Sequence, residues 1–306
     1  MNHKILEFHI SYICNHACIF CSEDTRMRKY WKDPLTEIQV RTILVDRAKK
    51  WFNYVHFAWW EPTLFPNFVK LLKFAKKLWF YTLVGTNWSL FYGDDFSKNI
   101  FNYLDQVILS VHWYNEKTCF LQTWDKNHFS NFSKIISNIN KHKKDSTYLM
   151  TNIVLNKHNY KNWVKIIKFL KEEVKYELKH VLISVVAPEW LAEVNYEDLV
   201  FDFNDFKKYG LEMIDYCNNN DLIFRIFWLP ICVLWDEYSE YSNDLYWWER
   251  HTIERFTSSN GKVVLQDVYS PDNSRKRKFI SKCDSCSRKL KPCTGVFKKY
   301  LDYYEL

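Results

Sequence analysis

The stretch ILEFHISYICNHACIFC, residues 5–21, decides how the rest of the chain is read. It is a β-rich run that passes straight into a loop carrying three cysteines, Cys14, Cys18 and Cys21, within eight residues. Downstream, runs of the same kind return between longer helix-like segments. TEIQVRTILVDRAKK (36–50) reads as a helix, NYVHFA (53–58) as a strand, NFVKLLKFAKK (67–77) as a helix and FYTLVGT (80–86) as a strand. QVILSVH (106–112), a helix near 130–143, TYLMTNIVL (147–155), a helix near 160–175 and HVLISVVA (180–187) continue the alternation. Six such units predict an α/β fold: a parallel sheet curled into a partial (β/α)6 TIM-like barrel, with its functional loops at the C-terminal ends of the strands. After about residue 228 the rhythm stops and polar stretches (SSNGK, SPDNSRKRK) lead into a cysteine-rich tail. The expected organisation is a core barrel over 1–228 and a small irregular cysteine-rich C-terminal extension over 229–306.

At 306 residues the chain can bury a sizeable core. Its formal charge of +7, from 43 Lys and Arg against 36 Asp and Glu, is scattered along helix-like segments. That reads as a solvated surface and does not favour a nucleic-acid face. No apolar run approaches the roughly 20 residues of a membrane span, and the start lacks a secretory pattern, so the expectation is a cytoplasmic protein with no membrane partner. In a reducing compartment, nine clustered cysteines point to metal or redox chemistry rather than disulfides. No Ser-His-Asp, HExxH or phosphate-loop pattern is present, which removes the corresponding hydrolase and nucleotide-triphosphatase classes.

The composition carries an anomaly. Glycine occurs 5 times and tryptophan 14 times, where ordinary usage of ~7% would give about 21 glycines. The tryptophans fall at turn-like positions, in WWEP (59–62), TNW (86–88) and PEW (188–190), where a residue without a side chain is expected. The two counts together come close to a normal glycine content. The reading is that many of these tryptophans are glycines encoded by UGA, a codon that a few bacterial lineages read as glycine. Trp163, inside the helix-like YKNWVKIIKFL, reads as a genuine tryptophan.

Three thiolates at the end of the first strand can hold three irons of a cubane cluster and leave the fourth open, whereas a purely structural site is closed by four protein ligands. Closure by His16 would instead make a zinc knuckle. CNHACIFC resembles the CxxxCxΦC signature of radical S-adenosylmethionine (SAM) enzymes, with Phe20 as the aromatic before the last cysteine. The resemblance implies a 4Fe-4S cluster on Cys14, Cys18 and Cys21 whose free iron is chelated by SAM. It further implies reductive cleavage of SAM to methionine and a 5′-deoxyadenosyl radical that abstracts hydrogen from substrate.

Further motifs of the same family follow in order along residues 5–190. WWEPTLFP resembles the family's GGEP motif, with Trp59 and Trp60 where both glycines belong, followed by Glu61 and Pro62. In the family this backbone lies against the methionine end of SAM, so two indoles there would block the cofactor; restored to glycine, the motif is whole. Glu61 is then a structural residue or a polar cofactor contact. GTNWSL resembles the family's TNG turn and offers Asn87, or else an Asx-turn. ILSVHWYN resembles its SxHG pattern and offers Ser110, and the fifth strand offers Asn152 as a ribose contact or an internally bonded barrel residue. Trp79 and Trp190 also stand where the family commonly has glycine.

In the tail, KCDSCSRKLKPCTGVFKKYLDYY sets Cys283, Cys286 and Cys293 in a CxxC…C arrangement, with Cys232 of LPICVL as the available fourth ligand. This resembles the SPASM and twitch extensions of radical SAM proteins and implies a second, auxiliary Fe-S cluster, with structural zinc as the alternative. Cys119 and Cys217 read as buried thiols. The resemblance implies a radical SAM enzyme of the peptide- or protein-modifying branch, served by an electron donor such as a flavodoxin or ferredoxin. The alternatives are modification of a small metabolite or an RNA base and, if Trp59 and Trp60 are genuine, a non-catalytic metal-binding scaffold.

Overall fold

A computed structural model of the chain describes residues 4–22, 28–229, 232, 236–242, 249–270, 276–289, 293 and 295–304. Seven parallel strands follow one another across one sheet: β1 Lys4–Phe8, β2 Tyr54–Phe57, β3 Tyr81–Thr86, β4 Gln106–Ser110, β5 Tyr148–Leu155, β6 His180–Val185 and β7 Ile223–Phe227. The helices between them are α1 Glu37–Lys49, α2 Phe68–Lys77, α3 Asp94–Phe101, α4 Glu116–Thr123, α5 His128–His142, α6 Trp163–Lys168, α7 Trp190–Val194, α8 Tyr196–Leu199 and α9 Phe203–Asn219. Each strand read from the sequence is present, shifted by a residue or two at its ends.

Strand alternation separates two faces. On β3, Thr82 and Val84 are buried on the side away from the cavity, whereas Tyr81, Leu83 and Gly85 line the barrel interior. On β4, Val107 and Leu109 face the helices while Gln106, Ile108 and Ser110 face inward. Leu71, Leu72 and Ala75 of α2, Ile135, Ile136 and Ile139 of α5, and Ile166 and Ile167 of α6 complete the outer core. Helix α1 starts with a capping box, Gln39 N–H donating to Thr36 Oγ1 (3.2 Å) and Thr36 N–H to Gln39 Oε1 (2.9 Å).

The chain beyond residue 228 departs from the irregular extension expected of it. Strand β8, Glu249–Thr257, lies parallel to β1 with Leu6 opposite His251, and β9, Val263–Ser270, returns antiparallel to it. The SSNGK stretch is the turn between them, with Ser258 N–H donating to Lys262 O and Gly261 at φ 79°. Polarity hid this hairpin because its charges are paired: Arg250 with Glu7 at 2.9 Å and Arg255 with Asp33 at 2.8 Å. A short pair, β10 Arg277–Lys278 and β11 Val296–Phe297, follows, and the buried Tyr300 donates its hydroxyl to Val186 O (3.2 Å) or Trp228 O (3.3 Å), fastening the tail to the core. Among the described residues no helix is long and apolar enough to cross a membrane.

Among the described residues twelve non-glycines have a positive φ, and eight of them are tryptophans: 51, 59, 60, 79, 88, 124, 190 and 228. Trp51 and Trp79 occupy the position just past a helix cap, in Schellman turns. Trp51 N–H donates to Ala48 O and Phe52 N–H to Arg47 O, and the pattern repeats at Lys76 and Ala75 for Trp79 and Phe80. A left-handed backbone costs a residue with a Cβ about 1–2 kcal/mol. Eight such tryptophans therefore cost on the order of 8–16 kcal/mol, comparable to the whole stability of an ordinary domain.

Candidate functional site

The loop after β1 is held from both sides. Ala17 N–H donates to Thr123 O (3.0 Å) and Ile19 N–H to Gln122 O (3.4 Å) at the end of α4, while Glu61 N–H, after β2, donates to Ile13 O (3.1 Å). Cys14, Cys18 and Cys21 all line one cavity of about 880 Å³ in the barrel. Cys14 Sγ accepts from His16 N–H (3.4 Å) and Asn87 Nδ2 (3.6 Å). Burial pushes the Cys14 thiol up to about 11, and burial followed by the neighbouring Cys14 and Cys21 raises Cys18 well above its ordinary value. Burial thus disfavours the thiolates of Cys14 and Cys18, a penalty that a bound cation would compensate, so the site suits a cluster.

His16 is not turned to serve as a fourth ligand. Its Nε2 lies 3.4 Å from Asp125 Oδ2 and its ring packs edge-on against His128, so the zinc-knuckle alternative loses its histidine. Among the described residues, His16, Asp125 and His128 are the one His/Cys/Asp/Glu group with ligand atoms all within 4.8 Å of one another.

Glu61 is fully buried, and protein donors take up its carboxylate. Oε1 accepts from Thr63 N–H (3.1 Å), Thr63 Oγ1 (2.5 Å) and Thr86 Oγ1 (2.8 Å), and Oε2 accepts from Asn87 N–H (2.6 Å). These bonds stitch the loop after β2 to the loop after β3. Burial raises the Glu61 pKa, against the opposing effect of these bonds. Pro62 opens the short 3-10 turn that Glu61 caps. Asn87, fixed by Glu61, spans Asn15 Oδ1 (2.8 Å) and Cys14, and so couples the third strand end to the cysteine loop. Phe20 packs edge-on against His112 at 4.6 Å, and Ser110 lines the cavity while its carbonyl accepts from Trp88 Nε1 (3.1 Å). Asn152 lies within β5 rather than beyond its end; it lines the cavity and accepts from Ser184 Oγ (2.8 Å).

The sequence matches the radical SAM superfamily over residues 8–170, more than half of its length. The chain belongs to the radical SAM superfamily. Streptococcus suis SuiB bound to S-adenosylmethionine has the same fold at 17% identity, with a TM-score of 0.68 over 99% of this chain and 75% of that one. The histidine-tagged anSMEcpe with bound AdoMet shares it at 19% identity and a TM-score of 0.55 over 72% of this chain and 63% of that one. An S-adenosylmethionine-dependent nucleotide dehydratase from Flammeovirga pacifica is 32% identical over 116 residues, 37% of this chain and 40% of that protein, so the match spans less than half of that relative. Membership carries a 4Fe-4S cluster and SAM as cofactors.

The cysteines fit the cluster; the written sequence does not fit SAM equally well. Trp59 and Trp60, at φ 67° and 50°, both line the cavity. The Trp59 indole donates to Glu7 Oε1 (2.9 Å) and stacks on Trp228 at 6.5 Å, while Trp60 lies 4.2 Å from the Tyr12 ring. Two indoles thus occupy the strand end against which the resemblance seats the methionine end of the cofactor.

Of the tail cysteines, Cys232 and Cys286 are exposed and Cys283 and Cys293 half-buried. Partial burial of the sulfur raises the Cys232 thiol, and Cys283 and Cys286 add to the shift. Cys286 N–H donates to Cys283 O (3.2 Å), and Gly295 N–H donates to Cys293 Sγ (3.4 Å). Cys119 and Cys217 are fully buried.

Sequence reading missed the barrel floor. Glu7 of β1 meets Arg250 of β8 (2.9 Å) and His56 of β2 (3.7 Å). Burial alone would raise the Glu7 carboxyl, but Arg250, with His56 and His9, takes it well below the usual range. The available signal was Glu7 itself, an acid inside the otherwise apolar ILEF.

Proposed function

We propose that this chain is a radical SAM enzyme that reductively cleaves SAM at a 4Fe-4S cluster on Cys14, Cys18 and Cys21 and modifies a peptide or protein substrate. One observation carries the reading: Cys14, Cys18 and Cys21, all half-buried, line the same large barrel cavity, beside strand ends that Glu61 and Asn87 lock together. When bound, the cluster and SAM supply a carbon-centred radical that removes a substrate hydrogen atom. The protein's own part is positional. Asn87 holds the cysteine loop and Glu61 holds Asn87. An auxiliary cluster on Cys283, Cys286, Cys293 and Cys232, and reduction by a flavodoxin or ferredoxin, belong to the same proposal. The peptide assignment draws on SuiB, whose structure with precursor peptide SuiA shares the fold at 17% identity over 86% of this chain.

A specific observation favours a second substrate, a small anionic molecule. Among the described residues the cavity is lined by Arg28, Arg225, Arg250 and Arg277 against Glu7 and Glu189, a net positive chamber of ligand-sized volume. The test is anaerobic reconstitution followed by dithionite and SAM. The proposal expects 5′-deoxyadenosine and methionine from the intact protein and neither from Cys14→Ser; a fully loaded cluster that leaves SAM intact refutes it. Competition of short peptides against nucleotides and other small anions for the chamber then separates the two substrates.

A further inference from the structure

We propose that positions 51, 59, 60, 79, 88, 124, 190 and 228 are glycine in the protein as its own cell makes it, UGA being read there as glycine, and that the barrel mouth is consequently open down to Glu7. This goes beyond the enzymatic reading, because it rests on backbone geometry and would hold for any function.

The chain has 23 phenylalanines and 20 tyrosines, and among the described residues none of them has a positive φ, while eight tryptophans do. If this fold simply tolerated aromatic rings in left-handed turns, phenylalanine and tyrosine would share the burden. Of the four remaining positive-φ residues, Asn67 and Asp221 are types that tolerate this region. Two of the five written glycines, Gly261 and Gly295, adopt it as expected. The local hydrogen bonding agrees: Trp51 and Trp79 sit in Schellman turns, and Trp124 is itself the left-handed cap of α4, each a place where glycine is the usual solution. Exposure agrees as well, since Trp51, Trp79 and Trp124 are 85%, 91% and 64% exposed and fill no core.

Trp163 is the internal contrast. It lies in α6, completely buried and donating from Nε1 to Tyr209 O (2.9 Å), and its backbone is not left-handed, whereas Trp88, equally buried and also donating from Nε1, sits at φ 72°. It is assigned as tryptophan and hence as UGG.

The assignment changes the site. Glycine at 59, 60 and 228 removes three indoles from the cavity lining. The indole donor to Glu7 Oε1 goes with them, so that the Glu7–Arg250 pair becomes the polar floor of the chamber, within reach of substrate. The disagreement between two indoles and a SAM seat disappears by the same step.

The decisive experiment is peptide mass spectrometry of the protein isolated from its own cells, read beside the codons of its gene. Glycine and UGA at the eight positions, with tryptophan and UGG at 163, is the expected result; tryptophan at 59 and 60 overturns the proposal. Expression of both forms gives an independent arm. The form with all eight Trp→Gly substitutions should bind SAM in equilibrium dialysis at least tenfold more tightly than the form as written, and equal binding also overturns it. The two proposals fail separately: a glycine form that fails to cleave SAM sinks the enzymatic reading alone, and a tryptophan form that cleaves it normally sinks this one alone.

Discussion

Replacing Trp51 and Trp79 together with glycine should stabilise the protein, although removing two tryptophans normally does the reverse. Both indoles are almost wholly in solvent, at 85% and 91% exposure, so little apolar burial is lost. Both backbones are left-handed, at φ 65° and 68°. Relief of that conformation is worth about 1–2 kcal/mol per site, and the greater freedom of glycine in the unfolded chain offsets roughly 0.5–1 kcal/mol of it. The net gain is roughly 0.5–1 kcal/mol at each site, or on the order of 1–2 kcal/mol for the pair. At about 2–4 °C per kcal/mol for a chain of this size class, Tm should rise by several degrees. Trp163→Gly supplies the opposite sign: a fully buried indole lost from a helix should cost about 4 kcal/mol or more. Circular dichroism melts and urea titrations of the three proteins under argon measure all of this. A double variant destabilised by 1 kcal/mol or more would refute the reasoning.

Other outcomes follow from the same geometry. Cys283→Ser combined with Cys286→Ser should remove about four of about eight irons per chain while leaving the first cluster's electron paramagnetic resonance signal; unchanged iron would mean that no auxiliary cluster is held there. Arg250→Leu strands the buried Glu7 carboxylate and should cost about 3 kcal/mol or more in urea unfolding, with recovery on adding Glu7→Gln. Burial holds both His112 and His128 down to about 3, helped by neighbouring histidines. Below about pH 6.5 the unfolded chain therefore binds protons that the folded chain refuses. Stability should fall as pH drops from about 6.5 toward 3 and be flat in these two groups above that window. Urea midpoints at pH 7.5 and 5 check the sign, and His112→Gln should flatten the slope.

The barrel was legible because its strands are short, β-branched runs at regular spacing and its helices carry apolar stripes; β3 and α2 fall within a residue of their expected bounds. Strand β8 was not, since its two arginines, Arg250 and Arg255, pair with residues more than two hundred positions away, Glu7 and Asp33. No local pattern reports such a pairing. In the site, the cysteine spacing and the order of strand-end motifs carried the family, but the division of labour among polar residues needed coordinates. Glu61 reads equally as a ligand or as a brace until Thr63, Thr86 and Asn87 are seen around it. The glycine deficit was visible as a count, and backbone φ turned it into a statement about eight named positions.

The most direct test of the central claim is cleavage of SAM by the reconstituted protein carrying glycine at the eight positions, measured as 5′-deoxyadenosine after dithionite reduction. The account predicts turnover that depends on Cys14, Cys18 and Cys21 together and is lost when Trp59 and Trp60 are put back. A protein with its first cluster fully assembled and all eight glycines in place that neither binds nor cleaves SAM would contradict it.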